Sequence, residues 1–165
     1  MMKIRGRTEG KDKQALDRLR SFCVYRERCS HEVKEKLHSL SLTGKAAEKI
    51  IAVLAKEGFV DDERFSALYA GSKFRNHSWG RIKITAELRK RNVPEAIISR
   101  ALDEISPGDY AEKIKSLASK KLETLRKCGA EEKKIKTLHY LFSKGFETGL
   151  CLDILRESCL KKLSP

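Results

Sequence analysis

The sequence contains no Cys-x-x-Cys pair, no His-x-x-x-His pair and no Gly-x-x-x-x-Gly-Lys-Ser/Thr loop. The first two absences remove the common zinc spacings, and the third removes a phosphate-cradling loop. No apolar run approaches the roughly 20 residues of a transmembrane helix. Aromatic residues make up 7% of the chain and prolines number three. That composition supports helix packing but not a wide core. No segment alternates apolar and polar residues with period two, so no sheet is expected. Acidic residues are also in deficit: 23 Asp and Glu face 36 Lys and Arg, giving a net charge of +13. Such a balance favours an anionic partner, above all nucleic acid or something that carries it.

Five cysteines are present, an odd number. With MMKIRGRTEGKDK followed by no apolar stretch, no export signal is expected, and the thiols are expected to be reduced in the cytoplasm. Cys29 with His31 and His38, and Cys151 with Cys159, are the nearest approaches to a metal set. Neither has ligand spacing, so no metal and no cofactor are expected.

What remains is helical periodicity almost throughout. Apolar residues recur at three- and four-residue steps in about nine stripes, from Leu16, Leu19, Phe22 and Cys23 to Leu150, Cys151, Ile154 and Leu155. The stripes themselves repeat. Leu16 and Leu19 align with Phe65 and Leu68, and these with Ile114 and Leu117, at a shift of 49. Leu37 aligns with Leu88, and Leu88 with Leu141, at shifts of 51 and 53. The expected architecture is all-α, an elongated array of three tandem three-helix repeats. Residues 1–12 form a flexible basic arm, and the repeats cover 13–58, 59–106 and 107–165. With the arm counted in the first repeat, their net charges are about +6, +2 and +5, so the charge is spread along the array.

The acidic run GFVDDERF, residues 58–65, falls at the first boundary between repeats. Asp61 suits a helix N-cap, with Asp62 and Glu63 in the positive first turn. Val60 and Phe65 have the spacing of a hydrophobic staple. A metal-dependent nuclease built on Asp61 and Asp62 would explain only the acids, whereas the cap and staple explain every residue. Ser30 is expected to cap the helix that follows it, and Asp109 to take the place of Asp61 before the third repeat.

Residues 73–91, KFRNHSWGRIKITAELRKR, hold seven basic residues against one acid, Glu87. Arg75, Arg81, Lys83, Arg89 and Arg91 are the candidate contacts to an anionic partner. The competing reading pairs Lys83, Glu87 and Arg91 along one helix. The only tryptophan, Trp79, either packs beneath a turn or stacks on a base. Lys113, Lys120 and Lys127 recur every seven residues and are expected to share a helix face.

Three segments resemble the RecX family, regulators of the bacterial recombinase RecA. They are ALDRLRSFCVYRERCSHEVKEKL (15–37), GFVDDERFSALYAGSKFR (58–75) and WGRIKITAELRKRNVPEAIISRAL (79–102). The third repeat matches only in helical pattern. The resemblance implies a protein that binds the RecA–single-stranded DNA filament and inhibits ATP hydrolysis and strand exchange. It would thereby modulate recombination, DNA repair and the SOS response. The missing catalytic motifs lead us to expect no enzyme, and repeats that supply their own packing neighbours a monomer. Direct contact with single- or double-stranded DNA is a further possible partnership. The alternative reading is a helix-turn-helix-like DNA-binding protein that acts independently of RecA.

Overall fold

The computed structural model describes the backbone of residues 3–160 and the side chains of residues 13–156. Among the described residues there are nine helices and no strand. They run α1 (Lys3–Tyr25), α2 (Ser30–Ser39), α3 (Gly44–Lys56), α4 (Asp62–His77), α5 (Arg81–Arg89), α6 (Glu95–Asp103), α7 (Pro107–Thr124), α8 (Ala130–Ser143) and α9 (Thr148–Leu160). The helix packing falls within successive triplets: α1–α3, α4–α6 and α7–α9. No described helix is long and apolar enough to cross a membrane.

The first helix extends into the residues expected as an arm. The backbone is helical from Lys3, so residues 3–12 continue α1, while Met1 and Met2 lie outside the described residues. No proline interrupts the stretch, and each residue added to a nucleated helix gains a hydrogen bond.

Burial corrects the register of the repeat. In the first triplet Ala15, Leu19, Cys23, Val33, Leu37, Ala47, Ile50 and Leu54 are buried. Each has a buried counterpart 51 residues later: Ser66, Ala70, Phe74, Ile84, Leu88, Ile98, Ala101 and Ile105. The shift of 49 joined Leu19 to Leu68, which is 54% exposed. An apolar residue on a helix need not face the core. From the middle triplet to the third, α5 and α6 map onto α8 and α9 at a shift of 53, through Leu88 and Leu141 and through Ile98 and Cys151.

The turn between the second and third helices of each triplet is one motif used three times. Ser41, Asn92 and Gly145 adopt positive φ of 60°, 54° and 86°. The amide after each one returns to the helix: Leu42 to the Leu37 carbonyl, Val93 to Leu88, and Phe146 to Leu141, at 3.0–3.2 Å. This is a Schellman closure, which satisfies carbonyls that the helix end would leave unpaired.

At the first boundary, the Asp61 Oδ1 accepts from the Glu63 and Arg64 amides at 2.9 and 3.0 Å. Val60 and Phe65 are both buried, but they enter different cores, Val60 that of the first triplet and Phe65 that of the next. They anchor the boundary from opposite sides and do not staple one helix. Two other expected caps are relocated. Cys29, not Ser30, precedes α2, and the Ser30 amide donates to Asp62 Oδ1 at 2.7 Å. Before α7 the cap is Ser106, whose Oγ accepts from the Asp109 amide at 3.3 Å, with Pro107 at the first helical position.

Candidate nucleoprotein interface

The five basic residues singled out in the middle repeat have different surroundings. Arg81 is committed inward. Its guanidinium lies 4.2 Å from the Tyr110 ring centre, donates to the Ile105 carbonyl at 3.3 Å and approaches Glu147 at 4.0 Å. Arg91 donates to the Glu87 carbonyl and carboxylate and sits over Tyr69. Arg89 forms a bidentate pair with Glu95 that is more than half exposed on both sides. An exposed pair of this kind contributes little to stability. Arg75 is exposed and folds back over Gly71. Among the described residues Lys83 has no carboxylate partner; its ammonium lies 4.7 Å from the Trp79 ring centre.

Pairing along α5 is therefore only partly realised. Glu87 is taken by Lys90 and Arg91, whose hydrogen bonds hold its carboxyl below the ordinary glutamate range. Lys83 is left over. Lys113 and Lys120 lie on α7, but Lys127 falls beyond its end at Thr124. Lys113 donates to the Arg75 carbonyl at 3.4 Å.

Trp79 takes the packing role of its two readings. It is half-buried against the core, with Lys73 and Lys83 ammonium groups 5.0 and 4.7 Å from its ring centre. The third triplet repeats the pattern: Tyr140 is half-buried, with Lys121 and Lys144 at 5.6 and 5.8 Å. None of these four lysines forms an ion pair among the described residues. The sequence pattern missed Tyr140 because Tyr140 and its two lysines are spread over two helices and a turn.

The two patterns meet at a close joint. The Gly80 and Ile82 amides, free donors at the start of α5, reach the Lys144 and Gly145 carbonyls at 2.8 and 3.1 Å. The Arg81 amide donates to the Tyr110 hydroxyl at 2.8 Å, and that hydroxyl donates to Glu147 at 2.6 Å. Burial and the Glu147 hydrogen bond push the Tyr110 hydroxyl well above the usual tyrosine range. A Cβ on Gly80 would strike the Gly145 carbonyl, and one on Gly145 would strike Lys83. The middle and third triplets thus share one hydrophobic core across this joint.

The acids of GFVDDERF are occupied as structural acceptors, Asp61 within α4 and Asp62 toward α2. Among the described residues, no group of three His, Cys, Asp or Glu could hold a metal ion. Cys23, Cys29 and Cys151 are buried and free, and Cys128 is free and half-buried. The side chain of Cys159 lies outside the described residues. Burial pushes the Cys151 thiol up to about 11 and also raises Cys23 and Cys29.

A family model described as the second three-helix domain of RecX matches residues 61–102, which span α4 to α6. The chain is 35% identical over 122 residues to the regulatory protein RecX of Pelodictyon phaeoclathratiforme, covering 74% of each. This chain belongs to the RecX family. RecX of Chlorobaculum tepidum is 31% identical over 139 residues, covering 84% of each chain. The crystal structure of RecX from Lactobacillus salivarius has the same fold, with a TM-score of 0.86 at 22% identity over 92% of this chain and 99% of that one. A second crystal structure, of a regulatory protein RecX, gives 0.80 at 24% identity over 88% and 72%. The RecX relatives carry the name of regulatory proteins, not of enzymes.

Proposed function

We propose that this RecX-family chain binds the RecA–single-stranded DNA filament in the cytoplasm and inhibits RecA ATP hydrolysis and strand exchange. In that role it would modulate recombination, DNA repair and the SOS response as a monomer without catalytic activity of its own. The observation that carries the reading is the similarity to RecX regulators along most of the chain. Physical features support it. An extended array with +13 net charge suits a long anionic assembly better than a compact ligand. Of the five basic candidates, Arg75 and Lys83 form no ion pair among the described residues, so they are the preferred contacts. Arg81 and Arg91 serve the fold, and Arg89 is available at the small cost of an exposed ion pair.

The test is ATP hydrolysis by the cognate RecA on single-stranded DNA, with this protein titrated in and naked-DNA binding measured at the same salt. Inhibition is expected well below the concentration that coats naked DNA. Inhibition only where naked DNA is already saturated would replace this reading with competition for the DNA lattice, as a DNA-binding protein independent of RecA would produce.

A further inference from the structure

We infer that the surface running from Trp79 across the joint to Tyr140 is a binding site for single-stranded nucleic acid, reading bases by stacking and the backbone by lysine. The inference does not depend on any recombinase. It rests on four lysines, two half-buried aromatic rings and their continuity across one joint.

Lys73 and Lys83 lie against Trp79, and Lys121 and Lys144 against Tyr140. Lys83 is packed on Gly145, the residue next to Lys144. The two aromatic groups are thus connected through Lys83, Gly145 and Lys144. The Gly80 and Ile82 hydrogen bonds to the 144–145 turn fix this connection. Among the described residues these four cations have no carboxylate partner, which leaves them free to meet an anion.

The aromatic rings narrow the choice of that anion. A lysine resting on an indole face makes a weak contact at an exposed site. When it swings to a phosphate, it uncovers the ring for a base. An acidic peptide would satisfy the lysines but leave the ring faces beneath them without a partner. A duplex keeps its bases stacked on each other, out of reach of Trp79. A flexible single strand can answer both features, and the placement of the patch across two triplets gives it a track longer than one triplet.

Trp79 is the only tryptophan, so its fluorescence reports from within the site. The full chain is titrated with a short oligodeoxythymidylate, and binding is measured in parallel by the anisotropy of a labelled copy. Saturable quenching that coincides with binding is expected, with no quenching by a duplex of equal length. Lys73→Glu with Lys83→Glu, and separately Lys121→Glu with Lys144→Glu, should each weaken binding about tenfold or more. The salt slope should fall by about 0.7 for each phosphate that is no longer neutralised. The paired Gln variants should weaken binding in the same direction, with circular dichroism checking the fold of all four.

Lys45→Glu with Lys49→Glu removes the same charge from exposed positions of α3 and should change binding less than about twofold. Equal weakening by this control, binding without quenching, or no binding would each overturn the site. Equal quenching by polyglutamate would reassign it to an acidic peptide. No recombinase is present, so these outcomes are separate from failure of ATPase inhibition.

Discussion

The two joints of the array use the same place and different chemistry. In both, the start of a triplet's second helix meets the next triplet. At the later joint the closest contact is backbone to backbone, Gly80 and Ile82 amides on the Lys144 and Gly145 carbonyls, flanked by Arg81, Tyr110 and Glu147. At the earlier joint it is made by side chains. Ser30 donates to Asp62, His31 and Asn92 lie 2.9 Å apart, and Arg64 holds Glu27 through two nitrogens at 3.0 and 2.8 Å. Cys29 occupies the place of Gly80, 51 residues earlier, and Asn92 the place of Gly145, 53 residues earlier. One joint merges two cores, while the other leaves the first triplet with a core of its own and joins it through Cys29. From these contacts the later boundary is expected to be the stiffer and the earlier the looser, with the helices unchanged. Glycine permits carbonyl-to-amide approach, and any side chain forces a wider, polar contact.

The largest effect should come from closing off the stiff joint. Gly80→Val places side-chain atoms where the Gly145 carbonyl lies. Overpacking costs about 1–3 kcal/mol, and two displaced backbone hydrogen bonds add about 1 kcal/mol each. At about 2–4 °C per kcal/mol for a chain of this size, Tm should fall by about 10 °C. Unchanged melting by Gly80→Val would show that the joint contributes nothing to stability.

The all-α class and the tripled pattern were legible because periodicity depends on residue type, and the helices keep it. The joints were not legible. Gly80 and Gly145 are ordinary glycines in sequence, and their role exists only when two helix ends 65 residues apart meet. The register was misread for a related reason. Leu19 has Ala70 as its counterpart and Cys23 has Phe74. Equivalent core positions exchange volume, so matching large residues to large ones finds the wrong shift. Basic residues were found by type, but which charges are free depends on acids elsewhere. Arg81 is consumed by Tyr110 and Glu147 from another triplet, while Lys83 lost its expected partner to Lys90 and Arg91. The spacing Leu-x-x-x followed by Ser, Asn or Gly and an apolar residue, at 37–42, 88–93 and 141–146, was the readable signal for the repeated turn.

A smaller and more local effect should follow at the looser joint. Asp62→Ala removes the acceptor of the Ser30 amide. A hydrogen bond to a charged group contributes about 1.5–3 kcal/mol, and partial solvation places this one at the low end. Tm should fall by about 3–6 °C. Cys29, buried at this joint, should be alkylated about tenfold faster. Cys151, buried in the third triplet, should label at an unchanged rate. Both thiols have raised pKa values, so near neutral pH each reacts chiefly after opening. Equal acceleration at both cysteines would mean that the array opens as one body and that the two joints do not differ in strength.

The smallest effect is a titration inside the triplets. Arg20 donates to Glu57 and holds its carboxyl below the ordinary glutamate range of about 4.5. A carboxyl lowered in the folded state contributes stability above its unfolded value, and the contribution is lost as pH falls through the folded value. The Arg20–Glu57 contact should therefore be intact at neutral pH and fade only below about pH 4.5. Glu87, lowered by Lys90 and Arg91, should behave likewise in the middle triplet. Both pairs are solvated, so the loss in Tm should be slight. Carboxyl NMR would show the Glu57 midpoint rising when Arg20 is replaced by Ala. The backbone hydrogen bonds of the stiff joint carry no titrating group. Amide exchange, corrected for its intrinsic pH dependence, should leave Gly80 and Ile82 protected through the range where Glu57 protonates. Loss of their protection in step with Glu57 would tie the joint to the charge of the first triplet and erase the contrast between the two boundaries.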